Sequence, residues 1–225
     1  MLLLAADTSG KHGSIALAQC EPDGTCKVLD VVPLAGGTFS AQLVPQIADL
    51  LRKHGFSKSD LDGFAVASGP GSFTGLRVGL AAIKALAEVL GKPIAAVSLL
   101  EAVASAAQCS GKVKGVMDAG RDEAYVGEYE PSGDGLRCIS EELLRIDELL
   151  LRNDGAPIAT PDKAIVDRVT ASGLRVLEVE RPGSDRVARL GWRKILGGNT
   201  ISSEDLEANY IRRSDAEIFS KPGSR

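Results

Sequence analysis

The chain has 225 residues, enough for one large domain or two modest ones, and carries a formal net charge of −4. Hydrophobic residues make up 44% of it and charged residues 25%, the proportions of a soluble globular protein. The negative charge excludes a general electrostatic surface for nucleic acid, so any RNA contact would need a local patch or a basic partner. The four cysteines show no metal-ligand spacing and no C-x-x-C pair, which predicts reduced thiols in a cytoplasmic protein.

The first half of the sequence predicts strands and helices in the order βββαβαβα. Apolar runs bounded by turn residues predict the strands, and an apolar period of 3.6 residues predicts the helices. Pro45 lies inside the first helical pattern, where it costs one hydrogen bond unless it falls close to the first turn. The predicted strands are residues 2–6, 14–19, 27–32, 64–67 and 93–97, and the predicted helices are residues 40–54, 75–90 and 98–108.

A glycine-rich stretch, Ser68-Gly-Pro-Gly-Ser-Phe-Thr-Gly-Leu-Arg-Val-Gly79, joins the fourth strand to the second helix. Its glycines allow a sharp turn out of the sheet, and Ser72 or Thr74 can cap the helix. The helix has little polar surface, because its three charged residues fall on one narrow stripe. A surface helix shows one apolar face, whereas this pattern predicts a helix covered on two sides. The second cover is either the protein's own core or a partner helix, and periodicity alone leaves both open.

The second half repeats the pattern of the first. Leu4-Ala-Ala-Asp7 and Val116-Met-Asp118 are both apolar strands that end at an Asp and turn through small residues. This similarity indicates an internal duplication, with a first lobe in residues 1–109 and a second, degenerate lobe in residues 110–225 whose C-terminal segment could pack back on the first. The remaining predicted strands are residues 113–117, 123–129, 156–159 and 174–179. The predicted helices are residues 146–151, a helix that has Pro161 at its first position, and residues 185–196. Residues 220–225 are a predicted disordered tail.

Few residues of this sequence could carry catalysis. Asp7-Thr8-Ser9 follows a strand, where N–H and hydroxyl groups can wrap a phosphate and the Asp can hold Mg²⁺, although a plain hairpin turn explains the same residues. The glycine-rich stretch fits neither the dinucleotide-binding fingerprint nor the P-loop. His12 and His54 have no helically spaced ligand partner, so the sequence predicts no catalytic residue and no metal site. The charged residues around Asp118 fit an exposed hairpin tip.

The glycine-rich stretch and Pro93-Ile-Ala-Ala-Val-Ser98 resemble the signature of the TsaB family. These proteins, also called YeaZ or inactive M22-type (glycoprotease-like) peptidase homologues, are the dimerisation subunits for bacterial tRNA threonylcarbamoyladenosine synthesis. The similarity covers most of about the first 130 residues well and the remainder thinly. Further matching segments are Asp7-Thr8-Ser9, Leu43-Val-Pro-Gln-Ile-Ala-Asp-Leu-Leu51, Met117-Asp-Ala-Gly-Arg-Asp-Glu-Ala-Tyr125 and Tyr210-Ile-Arg-Arg213.

The resemblance implies a fold and a set of partners. The fold is α/β, of the sugar-kinase/Hsp70/actin-like (ASKHA) type, with two related lobes that each hold a mixed sheet flanked by helices. The partners are a TsaE-like ATPase and a TsaD-like catalytic subunit, which transfers threonylcarbamoyl to the adenosine adjacent to the anticodon of tRNAs reading ANN codons. The chain itself is expected to be a non-catalytic scaffold. It is expected to contact tRNA only within the complex and not to bind a membrane. It is expected to form a homodimer when alone and to need no cofactor, with ATP or ADP and Mg²⁺ confined to the interface of the complex.

Two helices are expected to form the partner interface. Because Gly75 and Gly79 carry no side chain, a partner helix could approach closely there and gain dispersion contacts. The expected contact residues are Leu43, Ile47, Leu50, Gly75, Leu76, Gly79, Leu80, Ala82 and Ile83, and the expected vestigial phosphate-binding residues are Asp7, Thr8 and Ser9.

Several positions depart from the family pattern. The catalytic relative has an H-x-x-x-H metal pair where this chain has Leu99 and Val103, so metal catalysis is not expected here. Phe39 stands where family members often carry a His, and Gly120 separates the second-lobe Asp-Ala from Arg121. The alternative function is an autonomous ATPase or small-molecule kinase of the same fold, which would need two intact phosphate hairpins. A peptidase would need a nucleophile–base pair or a metal site, and the sequence offers neither.

Overall fold

The computed structural model describes residues 1–35, 37–133 and 135–211. The first lobe contains strands β1 (Leu2–Asp7), β2 (His12–Cys20), β3 (Cys26–Ala35), β4 (Gly63–Gly69) and β5 (Ile94–Ser98), and helices α1 (Phe39–Lys53), α2 (Phe73–Leu90) and α3 (Leu99–Ala106). The second contains β6 (Val113–Gly120), β7 (Glu123–Ser132), β8 (Gly135–Arg145), β9 (Ile158–Thr160) and β10 (Val176–Glu178), and α4 (Ile146–Leu151), α5 (Lys163–Ala171) and α6 (Ser184–Leu196).

The two five-stranded sheets have the same topology. The first has the order β3-β2-β1-β4-β5 and the second the order β8-β7-β6-β9-β10. In each sheet the first three strands form an antiparallel meander, and the last two run parallel to the first. Helices follow the third, fourth and fifth strand of each lobe. The predicted duplication and the ASKHA-like α/β fold of two related lobes are therefore confirmed.

The last helix of each lobe packs on the sheet of the other lobe. Helix α3 lies against β6 and β7, whereas α6 lies across β1, β2, β4 and β5. Trp192 on α6 is 1% exposed, and its indole N–H donates to the Glu21 carbonyl at 3.0 Å. This exchange of helices ties the two lobes together through buried surface.

Helix α2 is covered on two sides, as its pattern predicted, and both covers belong to the chain. One side packs on the first sheet and on α1. The other lies under the segment that follows α6, where Lys84 donates to the Glu204 carbonyl at 3.3 Å and Glu88 accepts from Ser203. Leu206 of that segment is 2% exposed, and the Asn209 N–H donates to the Ser68 carbonyl at 2.7 Å.

The glycines of α2 face the turn after β1 and not a partner helix. A Cβ on Gly75 would lie 2.1 Å from the Thr8 carbonyl oxygen, and one on Gly79 would lie 2.3 Å from Thr8 Oγ1. Thr8 Oγ1 donates to the Gly75 carbonyl at 2.7 Å. Close approach between α2 and β1 is therefore the structural reason for these two glycines.

Most of the residues expected to contact a partner are buried within the first lobe. Eight of the nine are buried inside the first lobe, and the ninth, Ala82, is partly exposed. An apolar face at helical spacing shows that something covers it, but not whether the cover is the same chain or another. The eight buried residues are Leu43, Ile47, Leu50, Gly75, Leu76, Gly79, Leu80 and Ile83.

The sequence reading also missed a strand and misplaced a helix start. Strand β8 lies at the edge of its sheet and contains the run Glu-Glu-Leu-Leu, which favours a helix by propensity. Helix α5 begins at Lys163 after the N-cap Asp162, so Pro161 precedes the helix instead of opening it. Pro45 lies inside α1, where it is exposed to solvent. The predicted tail and the Arg212-Arg213 match lie outside the described residues.

We expect Gly79→Leu to destabilise the fold, because the new side chain would collide with Thr8. Overfilling a packed site costs roughly 1–3 kcal/mol, so thermal unfolding should begin at a clearly lower temperature. Ala85→Leu is the matched control, since it places the same side chain on the exposed side of the same helix. Equal melting temperatures for the two variants would contradict the packing of α2 on Thr8.

Candidate functional sites: the interlobe cleft and a bare helix face

A cleft of about 500 Å³ separates the two lobes. Asp7, the last residue of β1, and Ser9, in the turn that follows, line one wall. Asp118, near the end of β6, and Arg181, just before α6, line the other. The duplicated fold therefore brings its two equivalent Asp residues to the same cavity.

The Asp7 carboxyl group is held at the bottom of this cleft. It is 6% exposed, and its Oδ1 accepts a hydrogen bond from the Ser9 N–H at 2.9 Å. Burial raises the pKa of Asp7 above its usual value, while the hydrogen bonds from Ser9 and the charge of Arg181 act in the opposite direction. The arrangement stabilises the turn, as in the plain-turn reading of this segment.

Several polar groups of the first turn are already hydrogen-bonded inside the protein. Of the three residues predicted to bind one, Thr8 points its hydroxyl at helix α2, and the Ser9 N–H is taken by Asp7. The loop that follows β4 closes over the turn, because the Ser72 N–H donates to the Ser9 carbonyl at 2.6 Å. A Cβ on Gly71 would lie 2.5 Å from that same oxygen, so loop and turn are in direct contact. The Thr8 hydroxyl and the Ser9 N–H, two donors that a phosphate could use, are therefore engaged inside the protein.

The second turn is an exposed hairpin tip. Asp118 Oδ1 accepts from the Gly120 N–H at 2.8 Å, and the Asp118 N–H donates to Asp162, which also pairs with Arg181. At the tip, Asp122 forms an ion pair with Arg168 at 3.0 Å. These contacts stabilise the hairpin, in line with the structural interpretation of the cluster.

The two positions at which the family resemblance implied the loss of a metal pair carry buried apolar side chains. Leu99 and Val103 lie on α3 and are 2% and 0% exposed, within the core. In the described residues, no three His, Cys, Asp or Glu side chains meet in a group that could hold a metal ion. Phe39 is buried against Gly13, where a Cβ would lie 2.8 Å from its ring. His54 pairs with Asp30 at 3.0 Å.

A second candidate site is the outer surface of the first two helices. Helices α1 and α2 pack side by side on the first sheet, and their outer sides carry small and apolar residues. Val44 is 57% exposed and Val89 is 75% exposed. We call this surface the α1–α2 face and define it by Ala41, Val44, Pro45, Ala48, Ala81, Ala85 and Val89.

The residues that sequence reasoning chose lie on the inner sides of these same two helices. The signal for the outer side was present, because Ala and Val occupy positions where a solvated helix usually carries Lys or Glu. A groove of about 480 Å³ opens between the N-terminal ends of the two helices, with Phe39, Ser40, Thr74 and Val78 in its wall. The groove extends the α1–α2 face towards the cleft.

No helix in the part of the chain that the structure describes is long and apolar enough to span a bilayer.

Comparisons with known proteins place the chain in a family. Residues 31–185 match the family described as TsaD: tRNA N6-adenosine threonylcarbamoyltransferase. The tRNA threonylcarbamoyladenosine biosynthesis protein TsaB of Escherichia coli (strain K12) is 28% identical over 228 residues, which cover 96% of this chain and 96% of that protein. An uncharacterized protein of Mycobacterium tuberculosis (strain ATCC 25618 / H37Rv) is 37% identical over 177 residues, 78% of this chain and 76% of its own.

A solved structure extends the similarity to the fold of nearly the whole chain. YeaZ from Pseudomonas aeruginosa matches with a TM-score of 0.75 at 27% identity, over 93% of this chain and 99% of that one. The family match covers more than half of the chain, and the relatives named TsaB and YeaZ match it almost end to end. The chain therefore belongs to the TsaD family of tRNA threonylcarbamoyladenosine proteins, in its TsaB (YeaZ) group.

Proposed function

We propose that this chain is a scaffold and activator subunit in the biosynthesis of tRNA threonylcarbamoyladenosine. It pairs with a TsaD-like transferase and, together with a TsaE-like ATPase, supports threonylcarbamoyl transfer to the adenosine adjacent to the anticodon. The names of its relatives support the pathway. The exposed α1–α2 face is the observation that carries the proposed role in assembly.

The α1–α2 face suits a partner that presents a similar pair of helices. Val44 and Val89 offer apolar area, and the alanines between them leave room for a close approach. A transferase of the same family would present the equivalent helix pair, so four helices would bury both surfaces. The same face on a second copy would be self-complementary, which explains the expected homodimer when the transferase is absent.

The cleft supports a non-catalytic role for this subunit. The Thr8 hydroxyl and the Ser9 N–H are used in internal hydrogen bonds, and Leu99 and Val103 are buried apolar side chains that cannot bind a metal ion. In this proposal the chain has no resident cofactor. ATP or ADP with Mg²⁺ binds at the interface with the partner subunits, and tRNA is met only within the assembled complex.

We expect Ala85→Arg to weaken association with the transferase of the same organism without lowering the melting temperature. The substitution places a charge in the centre of an apolar contact, where desolvation without a partner lowers affinity about tenfold or more. Sedimentation velocity of the mixed subunits measures the change. Ala164→Arg, on an exposed helical alanine of the second lobe, is the matched control. Equal affinities for both variants would place the interface elsewhere.

We expect Asp7→Asn to retain activity in the reconstituted complex and to be more stable than the parent at pH 7. The amide oxygen can still accept from Ser9, and the cost of a buried charge is removed. Because the folded pKa of Asp7 is raised, protonation stabilises the fold, so the advantage of Asn should vanish once the pH falls below about 3.8, the ordinary value. Melting temperatures across this pH range measure the difference.

Asp30→Asn is a control in which the melting temperature at pH 7 should change in the opposite direction. Lys53 and His54 hold the pKa of Asp30 at about 2, so its charge stabilises the fold at neutral pH. The amide should therefore lower the melting temperature at pH 7, and the loss should fade as the pH falls from about 4 towards 2.

If Asp7→Asn abolished modification at unchanged stability, Asp7 would take part in the chemistry and the non-catalytic role would be wrong.

A further inference from the structure

Two cysteines face each other at the end of the β2–β3 hairpin. Cys20 and Cys26 are the last register pair of the two strands, and their sulfur atoms lie 2.9 Å apart. The Cys20 N–H and carbonyl both bond to Met1, on the side of β1. The pair is therefore of the non-hydrogen-bonded kind, in which the side chains of opposite residues approach most closely.

The surroundings give the two thiols different reactivity. Cys20 is 0% exposed and Cys26 is 7% exposed. The hydrogen bond from the Cys20 thiol lowers the pKa of Cys26, and the guanidinium groups of Arg189 and Arg193 lower it further, against the effect of burial. The same hydrogen bond and burial raise the pKa of Cys20. Cys26 is thus suited to attack as a thiolate, and Cys20 to resolve the intermediate.

We propose that Cys20 and Cys26 form an oxidisable dithiol, a modification site that reacts with low-molecular-weight disulfides. The Cys26 thiolate attacks one sulfur of the small disulfide, forms a mixed disulfide and releases one thiolate. Cys20 gives its proton to that thiolate and attacks the Cys26 sulfur, which releases a second thiolate. This second thiolate takes up, through water, the proton that Cys26 lost. The two cysteines lose two electrons and two protons, and the small disulfide gains them as two thiols.

The fold accommodates the new bond with little movement. Residues opposite each other in such a pair have Cα atoms about 4.5 Å apart, within the range that disulfides span. The end of the hairpin also holds α6, since Arg189 donates to the Cys26 carbonyl at 2.9 Å and Trp192 donates to Glu21. Oxidation would therefore cross-link the part of the first sheet on which this connecting helix rests.

The exposed cysteine Cys138 is the less reactive thiol. Burial of its sulfur and the charges of Glu141 and Glu101 raise the pKa of Cys138, which lowers its thiolate fraction. Exposure alone would predict reaction at Cys138, whereas the geometry predicts reaction at the more deeply placed pair. One experiment therefore distinguishes reaction at Cys138 from reaction at the Cys20–Cys26 pair.

The test is incubation of the reduced full-length chain with oxidised glutathione under native conditions, followed by alkylation and peptide mapping. We expect the mass of the chain to fall by two hydrogen atoms, a Cys20–Cys26 cross-linked peptide, and alkylated Cys109 and Cys138. The oxidised form should melt higher by about 5 °C, because the bond restricts the unfolded chain. Glutathione on Cys138 with a reduced Cys20–Cys26 pair would overturn the proposal.

Three variants test the order of the steps. Cys20→Ser should stop at a stable glutathione adduct on Cys26, since the resolving thiol is gone. In Cys26→Ser, the loss of free thiol to oxidised glutathione should be about tenfold slower than in the parent, and Cys20 should stay unmodified. Cys138→Ser, the control, should form the cross-link at the parental rate. Absence of the adduct in folded Cys20→Ser would overturn the assignment of Cys26 as the attacking thiol. If a variant does not fold, the presence or absence of the Cys20–Cys26 cross-link in the unaltered chain still tests the proposal.

Discussion

The close contact between α2 and the turn after β1 determines much of the first lobe. Because Gly75 and Gly79 have no side chains, the helix comes near enough for the Thr8 hydroxyl to reach a helix carbonyl. The contact sets the position of α2 on the sheet and brings the loop after β4 down over Ser9. A third side of the helix, which carries Ala85 and its neighbours, remains exposed to solvent.

The same contact lies between the cleft and the exposed α1–α2 face. A fold with two equivalent turns around a cavity can present both turns to a ligand, but here the first turn bonds to its own loop and helix. What the lobe leaves uncovered is the α1–α2 face. Exposure of such apolar side chains to water is unfavourable, and a bound partner would remove it. This favours assembly over catalysis as the function of this chain.

Local sequence patterns predicted most of the fold but not what covers each surface. Strands, helices and the duplication follow from apolar periodicity and from the repeated Asp turns. Strand β8 does not, because an edge strand with a helix-favouring run has no clear local signal. The partner of Gly79 is Thr8, far away in sequence, and the cover of Lys84 is the distant Glu204. Likewise, the spacing of Cys20 and Cys26 matches no motif, and only the hairpin register makes them a pair.

The most direct measurement is the formation of threonylcarbamoyladenosine on tRNA from supplied threonylcarbamoyl adenylate by purified subunits, tested in every combination. We expect product when this chain, the TsaD-type transferase and the TsaE-type ATPase are together, and none from this chain without the transferase. Omission of this chain should reduce the product to background, and the Ala85→Arg chain should restore it poorly. Product made by this chain alone, or full activity of the transferase in its absence, would contradict the scaffold function.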